Sequence, residues 1–477
     1  MKLNYLRLGT TAFVWLLGTA FVSAQQLTDQ SEISLNDLSS FKSPGQTWTL
    51  AGGVTANLAE QNALNLTKGT GILVNIPTKK DHGSDLLTIG EHGDVVLELD
   101  YLMAKGANSG IYLQGIYELQ LEDSWTATKP LSSINGGIYE RWDDSKPDGQ
   151  KGFGGYAPRQ NVSKAPGLWQ HIKIVFLAPR FDASGNKTAN ARFVSVELNG
   201  VLIHDNIELF GPTRGANSKE KAFGALRLQG DHGAVAFKNI KTSKVNNDLL
   251  NGKQRGGSDA DPILIEAPVN TMIRSFIDIN GGPRVVHAIS IGSPQQVHYS
   301  YDLDNGLLFH AWRGDFIDAT PMWHDRGNGS SKPRGTVTTF IKKPAPTLAK
   351  LADAQGTWPT DTTSTGFKTK GYILDTEDRP TFTYNVYGAK IDDAIRVLAN
   401  GEGLNREISI DKPVDNIYAL LVDAGSVEEI GKGLYLVDGQ SYLKFDDAKD
   451  KPVIRDANGR KQLVILLRGK LNYSILF

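Results

Sequence analysis

Asn108-Ser-Gly-Ile-Tyr-Leu-Gln114 and Tyr117-Glu-Leu-Gln-Leu-Glu122 decide how the rest of the chain is read. In the second run Tyr117, Leu119 and Leu121 alternate with Glu118, Gln120 and Glu122, the period-two pattern of a strand with one face buried. The alternation recurs in Val95–Tyr101, His171–Phe176 and Phe193–Leu198. Asn199-Gly200 falls between two such runs, and Asn-Gly suits a two-residue hairpin because both positions need positive φ. Helical periodicity is scarce; only the segments near Lys350 and Ile391 are expected to form short helices. Many short strands separated by Gly, Asn and Pro predict an all-β sandwich or jelly roll. The 50 glycines, about one residue in ten against an average near ~7%, fit that number of turns.

Further along, Asn246–Asp261 (NNDLLNGKQRGGSDAD) is polar and glycine-rich, a linker by composition. Alternation then resumes. Val297–Asp302 and Leu307–Trp312 flank Asp304-Asn-Gly306, a second expected hairpin, and Ile475-Leu-Phe477 is expected to end the last strand of a sheet. The expected division is a jelly roll over residues 28–245, a linker over 246–262, and a second β-rich, sandwich-like domain over 263–477. Ahead of these, Lys2 and Arg7 precede the apolar run Thr11–Val22 and then Ser23-Ala24, the layout of a secretory signal peptide over residues 1–24. The run is shorter than the ~20 residues a spanning helix needs. A periplasmic or secreted location is expected, with no membrane span in the mature chain.

The 477 residues include no Cys, which excludes disulfides, thiolate metal sites, a Cys nucleophile and a lipidated N-terminal Cys. Lys and Arg total 51 against 52 Asp and Glu, so no overall charge argues for nucleic acid.

Several phrases between residues 30 and 245 occur in a distinctive order. They are Gly93–Asp100, Asn108–Gln114, Tyr117–Asp123, Gly136-Gly-Ile-Tyr139, Pro166-Gly-Leu-Trp169, Ala178–Asp182, Asn199-Gly200, Asp205–Glu208, Gly211-Pro-Thr213, Leu226-Arg-Leu-Gln229, Asp231-His-Gly233 and Phe237–Ile240. Together they resemble the 3-keto-disaccharide hydrolase domain family. The resemblance implies a concanavalin-like jelly roll acting on glycosides already oxidised at C3, and a separate sugar 3-dehydrogenase to supply them. The chain departs from the family pattern by inserting Glu140–Tyr156, by Pro-Gly-Leu before Trp169, and by Gly230. The second half is similar, less specifically, to a β-rich domain of bacterial membrane-bound dehydrogenase-like proteins, through Tyr301–Asp304, Ala311–Asp318, Trp323–Gly327, Gly371–Asp375 and Arg379–Tyr384.

A 3-keto sugar has an acidic C2 proton. One base, a stabiliser for the C3 oxygen, and an acid or metal at the leaving group then suffice for elimination at C1 or, with water added back, net hydrolysis. His232, in a turn between two strands, is the expected base. Glu118 with Gln120, and Arg227 with Gln229, each share a strand face; either these faces line a concave site, with Glu118 and Arg227 catalytic, or they are solvated. Tyr112 and Tyr139 are expected to stack on sugar or donate to an oxyanion, Gln114 and Arg141 to join the substrate-binding set, and Trp169 to lie in the core. No cofactor is fixed by the sequence and a divalent metal is left open. Asp315, Asp318, His324 and Asp325 form one candidate ligand cluster, against the simpler role of capping turns and pairing Arg313 or Arg326. Two other functions remain open: a non-catalytic glycan-binding module, and a conventional glycosidase pairing Glu118 with Glu98 or Asp100.

Overall fold

The computed structural model describes residues 30–216, 218–250, 260–279, 282–446 and 451–477. The expected leader and the middle of the expected linker lie outside them. Strands dominate, and the only helices among the described residues are Asn247–Leu250 and Thr320–His324. None is long and apolar enough to cross a membrane.

Both segments expected as helices are strands, Leu348–Lys350 and Ala389–Val397. In the longer one Ala389, Ile391, Asp393 and Ile395 are buried in alternation, so the governing period is two. Asn199 and Gly200, at φ 52° and 81°, do turn the chain between Ala191–Leu198 and Val201–Leu209.

Residues 30–243 build two two-stranded ribbons and two large antiparallel sheets. One has eight strands, in the order Val201–Leu209, Ala191–Leu198, Gln170–Leu177, Val95–Met103, Val235–Ser243, Leu64–Asn75 and Trp48–Ala56, with Gln30–Glu32 beside Val235–Ser243. The other runs Phe41–Lys42, Leu86–His92, Gly224–Leu228, Asn108–Leu113 and Tyr117–Glu122. Leu97, Leu99, Ile172, Ile174, Phe176 and Phe237 from the first meet Leu86, Ile111, Leu113, Leu119, Leu121 and Leu228 from the second in one core. Alternation then forces Tyr112, Glu118, Gln120 and Arg227 onto the opposite face of the five-stranded sheet.

Residues 264–476 form sheets of six, four and eight strands around a separate core. No strand pairing joins them to residues 30–243 among the described residues. At the centre of this unit Arg406 and Asp393 are fully buried and paired, Nη2 to Oδ2 at 2.6 Å and Nε to Oδ1 at 3.0 Å. The Tyr301 hydroxyl donates to the same carboxylate at 3.0 Å. The two units meet through a small apolar cluster, in which Trp125, Ala165 and Leu168 pack with Tyr442, Leu434 and Leu476, and through polar contacts. Gln160 donates to the Arg334 carbonyl at 3.0 Å and accepts from the Asp315 amide at 2.7 Å, while Thr336 and Tyr442 donate to the carbonyls of Val162 and Pro166, both at 2.9 Å.

Removing one partner of a buried ion pair strands the other charge, at a cost of about 3–5 kcal/mol. Arg406→Met is expected to lower the urea midpoint of the second unit accordingly, followed by tryptophan fluorescence; an unchanged midpoint would show that the pair contributes nothing to stability.

Candidate functional site

Strand register sets the outer face of the five-stranded sheet. Arg227 is the Cα partner of Tyr112, and Tyr112 of Glu118, so the three stand in a row across three adjacent strands. The next row carries Gly110 opposite Gln120, and the Gln229 amide donates to the Gly110 carbonyl at 2.9 Å. The space above Gly110 is filled by the Glu118 carboxylate and the edge of the Tyr112 ring. A Cβ there would sit 2.6 Å from Glu118 Oε1, so no larger residue fits without displacing the carboxylate.

Glu118 is 2% exposed. Burial pushes its pKa up to about 7, a rise aided by the Asp85 and Asp231 carboxylates and opposed by a hydrogen bond from Tyr112 and by the charge of Arg227. Arg227 pulls less than its proximity suggests because it is shared. Its guanidinium lies 3.7 Å from the Tyr112 ring centroid and donates to the carbonyls of Gly115 and Gly215 at 3.2–3.3 Å. Its Nε approaches Asp85 Oδ2 at 3.0 Å. That approach lies off the N–H axis, so Nε counts as unsatisfied by directed hydrogen bonds and the contact is an ion pair. The Oε1 atoms of Gln120 and Gln229 are buried without a partner, acceptors that water or a hydroxylated ligand on this face would satisfy.

A short turn closes over the row. The Thr213 hydroxyl accepts from the Glu118 amide at 3.1 Å, Gly215 supplies the carbonyl for Arg227, and Arg214 hydrogen-bonds Tyr139. The Tyr139 hydroxyl has its pKa raised by burial and then by Glu140, with Glu118 adding a smaller push. At the edge, the turn holding Asp231 and His232 is anchored by Asn75, which donates to the Gly230 carbonyl at 2.8 Å, and by Asp85, which accepts from the Gly230 amide at 3.1 Å. His232 is exposed, with Nδ1 2.5 Å from Asp231 Oδ1.

Of the residues expected from the sequence, Glu118, Arg227, Gln120, Gln229, Tyr112 and Tyr139 come together, with His232 on the rim. Tyr112 is 2% exposed with its ring covered by Arg227, so the expected stacking on sugar has no open face. Gln114 uses its Nε2 on the carbonyls of Ala222 (2.9 Å) and His92 (3.3 Å) at the strand turn. Arg141 packs over Phe153 at 4.9 Å, in a hairpin beside the row. Glu98 and Asp100 are corrected outright: they stand on the outer face of the other sheet, paired with Lys173 and His171, so neither can act with Glu118. Trp169, expected in the core, is half-buried on that same outer face under Lys238. The Asp315 cluster disperses: Asp315 pairs with Arg334 at 2.7 Å, Asp318 accepts from the Thr320 amide at 2.9 Å, and His324 meets the Asp261 carbonyl. Among the described residues no three His, Asp or Glu side chains converge on a metal position, so no step is routed through one. Asp85, Thr213, Arg214 and Gly110 were not singled out by the sequence, since their roles depend on which strands become neighbours.

Residues 34–243 match the family model of the 3-keto-alpha-glucoside-1,2-lyase-like domain. The match covers less than half of the chain, and over those residues the first unit is similar to that family. Among solved structures, this chain is similar to two proteins of Parabacteroides distasonis, each called a "putative glycosyl hydrolase". One is 22% identical over 46% of this chain and 84% of its own, with a TM-score of 0.32. The other is 20% identical over 42% of this chain and 99% of its own, at 0.26. The carbohydrate binding module CBM66 of Bacillus subtilis matches at 10% identity over 42% of this chain and 96% of its own, at 0.20. No curated protein matches the chain.

The first unit carries a stability cost at Glu118. Its folded pKa near 7 exceeds the ordinary 4.5, so its contribution to stability is fully present below 4.5 and is lost as pH rises through 7. Glu118→Gln keeps the shape without the ionisation. The variant is expected to gain on the parent between pH 5 and pH 8, by about 3 kcal/mol at the upper end. Urea titrations at the two pH values measure this, and a difference that does not change with pH would contradict it.

Proposed function

We propose that the protein cleaves glycosides already oxidised at C3. The Glu118 carboxylate, in place of the expected His232, which is exposed at the rim, removes the C2 proton; the electron pair moves onto the C3 oxygen as an enolate, and its return expels the C1 oxygen. Water adding at C1 of the resulting enone turns elimination into net hydrolysis. The observation that carries this reading is a carboxyl group buried beside Tyr112 and Arg227 with its pKa pushed up to about 7, in a domain similar to this family. A base so tuned is substantially ionised near neutrality yet still basic enough to take a carbon-bound proton. The Arg227 charge offsets the developing enolate, Gln120 and Gln229 accept from sugar hydroxyls, and exposed His232, oriented by Asp231, supplies the proton to the leaving oxygen. The basic and apolar opening of the sequence supports export, with a separate sugar 3-dehydrogenase providing the substrate.

Purified protein incubated with a 3-keto-glucoside and its unoxidised parent is expected to release the aglycone from the keto form alone; release from neither would sink the proposal. For the active protein, kcat/KM is expected to rise with pH through about 7 as Glu118 loses its proton, and Glu118→Gln to lose about 10²–10⁴-fold. Gly110→Ala, which drives a methyl group against Glu118 Oε1, is expected to lower activity while changing the fold little. A Gly110→Ala enzyme with full activity would show that the position of the Glu118 carboxylate does not limit the reaction.

A further inference from the structure

Beside the row stands a hairpin that the chemistry above does not use. Arg141–Trp142 pairs with Gly152–Phe153, and the Asp143 amide donates to the Lys151 carbonyl at 2.9 Å. Lys146 sits over the Phe153 ring at 3.6 Å, and Trp142 Nε1 donates to Asp144 Oδ1 at 2.8 Å, which fixes the indole. Trp142 is nevertheless 37% exposed. The Arg214 guanidinium lies 3.8 Å from the indole centroid and its side chain is 48% exposed. Its charge is only loosely met, by Glu140 Oε1 at 4.0 Å. The Arg214 amide donates to the Glu140 carbonyl at 2.8 Å, tying the turn over the Arg227–Tyr112–Glu118 row to the base of the hairpin.

A planar cation stacked on a fixed indole leaves an outer face to which a second flat π system is attracted. Arg214 also hydrogen-bonds Tyr139, whose backbone amide donates to the Glu118 carbonyl at 3.2 Å. The stacked pair therefore stands next to the site, beyond the residues that would hold the sugar ring.

We infer that Trp142 and Arg214 form the leaving-group subsite and select aromatic aglycones, which stack on the exposed guanidinium–indole pair. This rests on the keto-glycoside reading above. Neither residue is catalytic; both set which glycosides are bound productively.

The test compares 4-nitrophenyl and methyl 3-ketoglucosides of one anomer, with sugar product quantified for both. The measured quantity is the aryl-to-methyl ratio of kcat/KM relative to the parent enzyme, which cancels intrinsic leaving-group reactivity and any general loss of folded protein. Trp142→Ala is expected to lower the ratio about tenfold, mainly through KM for the aryl substrate. Trp142→Phe should restore most of it, and Arg214→Lys, which keeps charge without a plane, should lower it. Ratios unchanged in Trp142→Ala would overturn the inference while leaving the proposed reaction standing. Should the parent turn over neither substrate, the reaction itself fails, and calorimetry with the unoxidised 4-nitrophenyl and methyl glucosides still decides the subsite. Preferential aryl binding lost in Trp142→Ala supports it; equal binding of the two glucosides refutes it.

Discussion

A carboxyl group titrates near neutrality in a folded protein when water is withheld from it and no full counter-charge replaces that water. Glu118 meets both conditions because of strand register. The row Arg227–Tyr112–Glu118 sets a phenol between the cation and the carboxylate, and the arginine is drawn off by Asp85, by two backbone carbonyls and by the ring beneath it. Had Arg227 stood directly opposite Glu118, a bidentate pair would have held the carboxyl ionised well below neutrality. The Arg406–Asp393 pair in the second unit is that alternative built in full: two directed bonds and complete burial.

The rest of the first unit follows from keeping that row dry and in register. The apolar half of each alternating strand fixes the row to the core, and Gly110 makes room for the carboxylate. The Thr213–Gly215 turn then covers it with hydrogen bonds to backbone, which do not compete for the charge.

Parity was legible in the sequence; neighbourhood was not. Alternation in Tyr117–Glu122 tells which residues share a face, and Asn199-Gly200 tells where a strand reverses, because both are local properties. The same rule made Glu98 and Asp100 look as suitable as Glu118. Their strand has identical parity, but it belongs to the opposite sheet, and no local pattern records that. Asp85 reaches Arg227 across more than a hundred residues of chain, and Thr213 reaches Glu118 from a loop, so neither had a signature. The segment around Ile391 was misjudged for the converse reason: it buries Asp393 as one of its inward residues, and a charged residue on the apolar face obscures a period of two until its partner Arg406 is known.

The hairpin around Trp142 enters and leaves next to the isolated bridge between Ile138 and Tyr156, and its two strands pair only with each other. Lengthening, shortening or rewriting it alters no register in either sheet of the sandwich. A descendant of this chain can therefore trade one hairpin for another while inheriting the Arg227–Tyr112–Glu118 row unchanged. Substrate range and reaction chemistry are left to evolve as separately heritable traits.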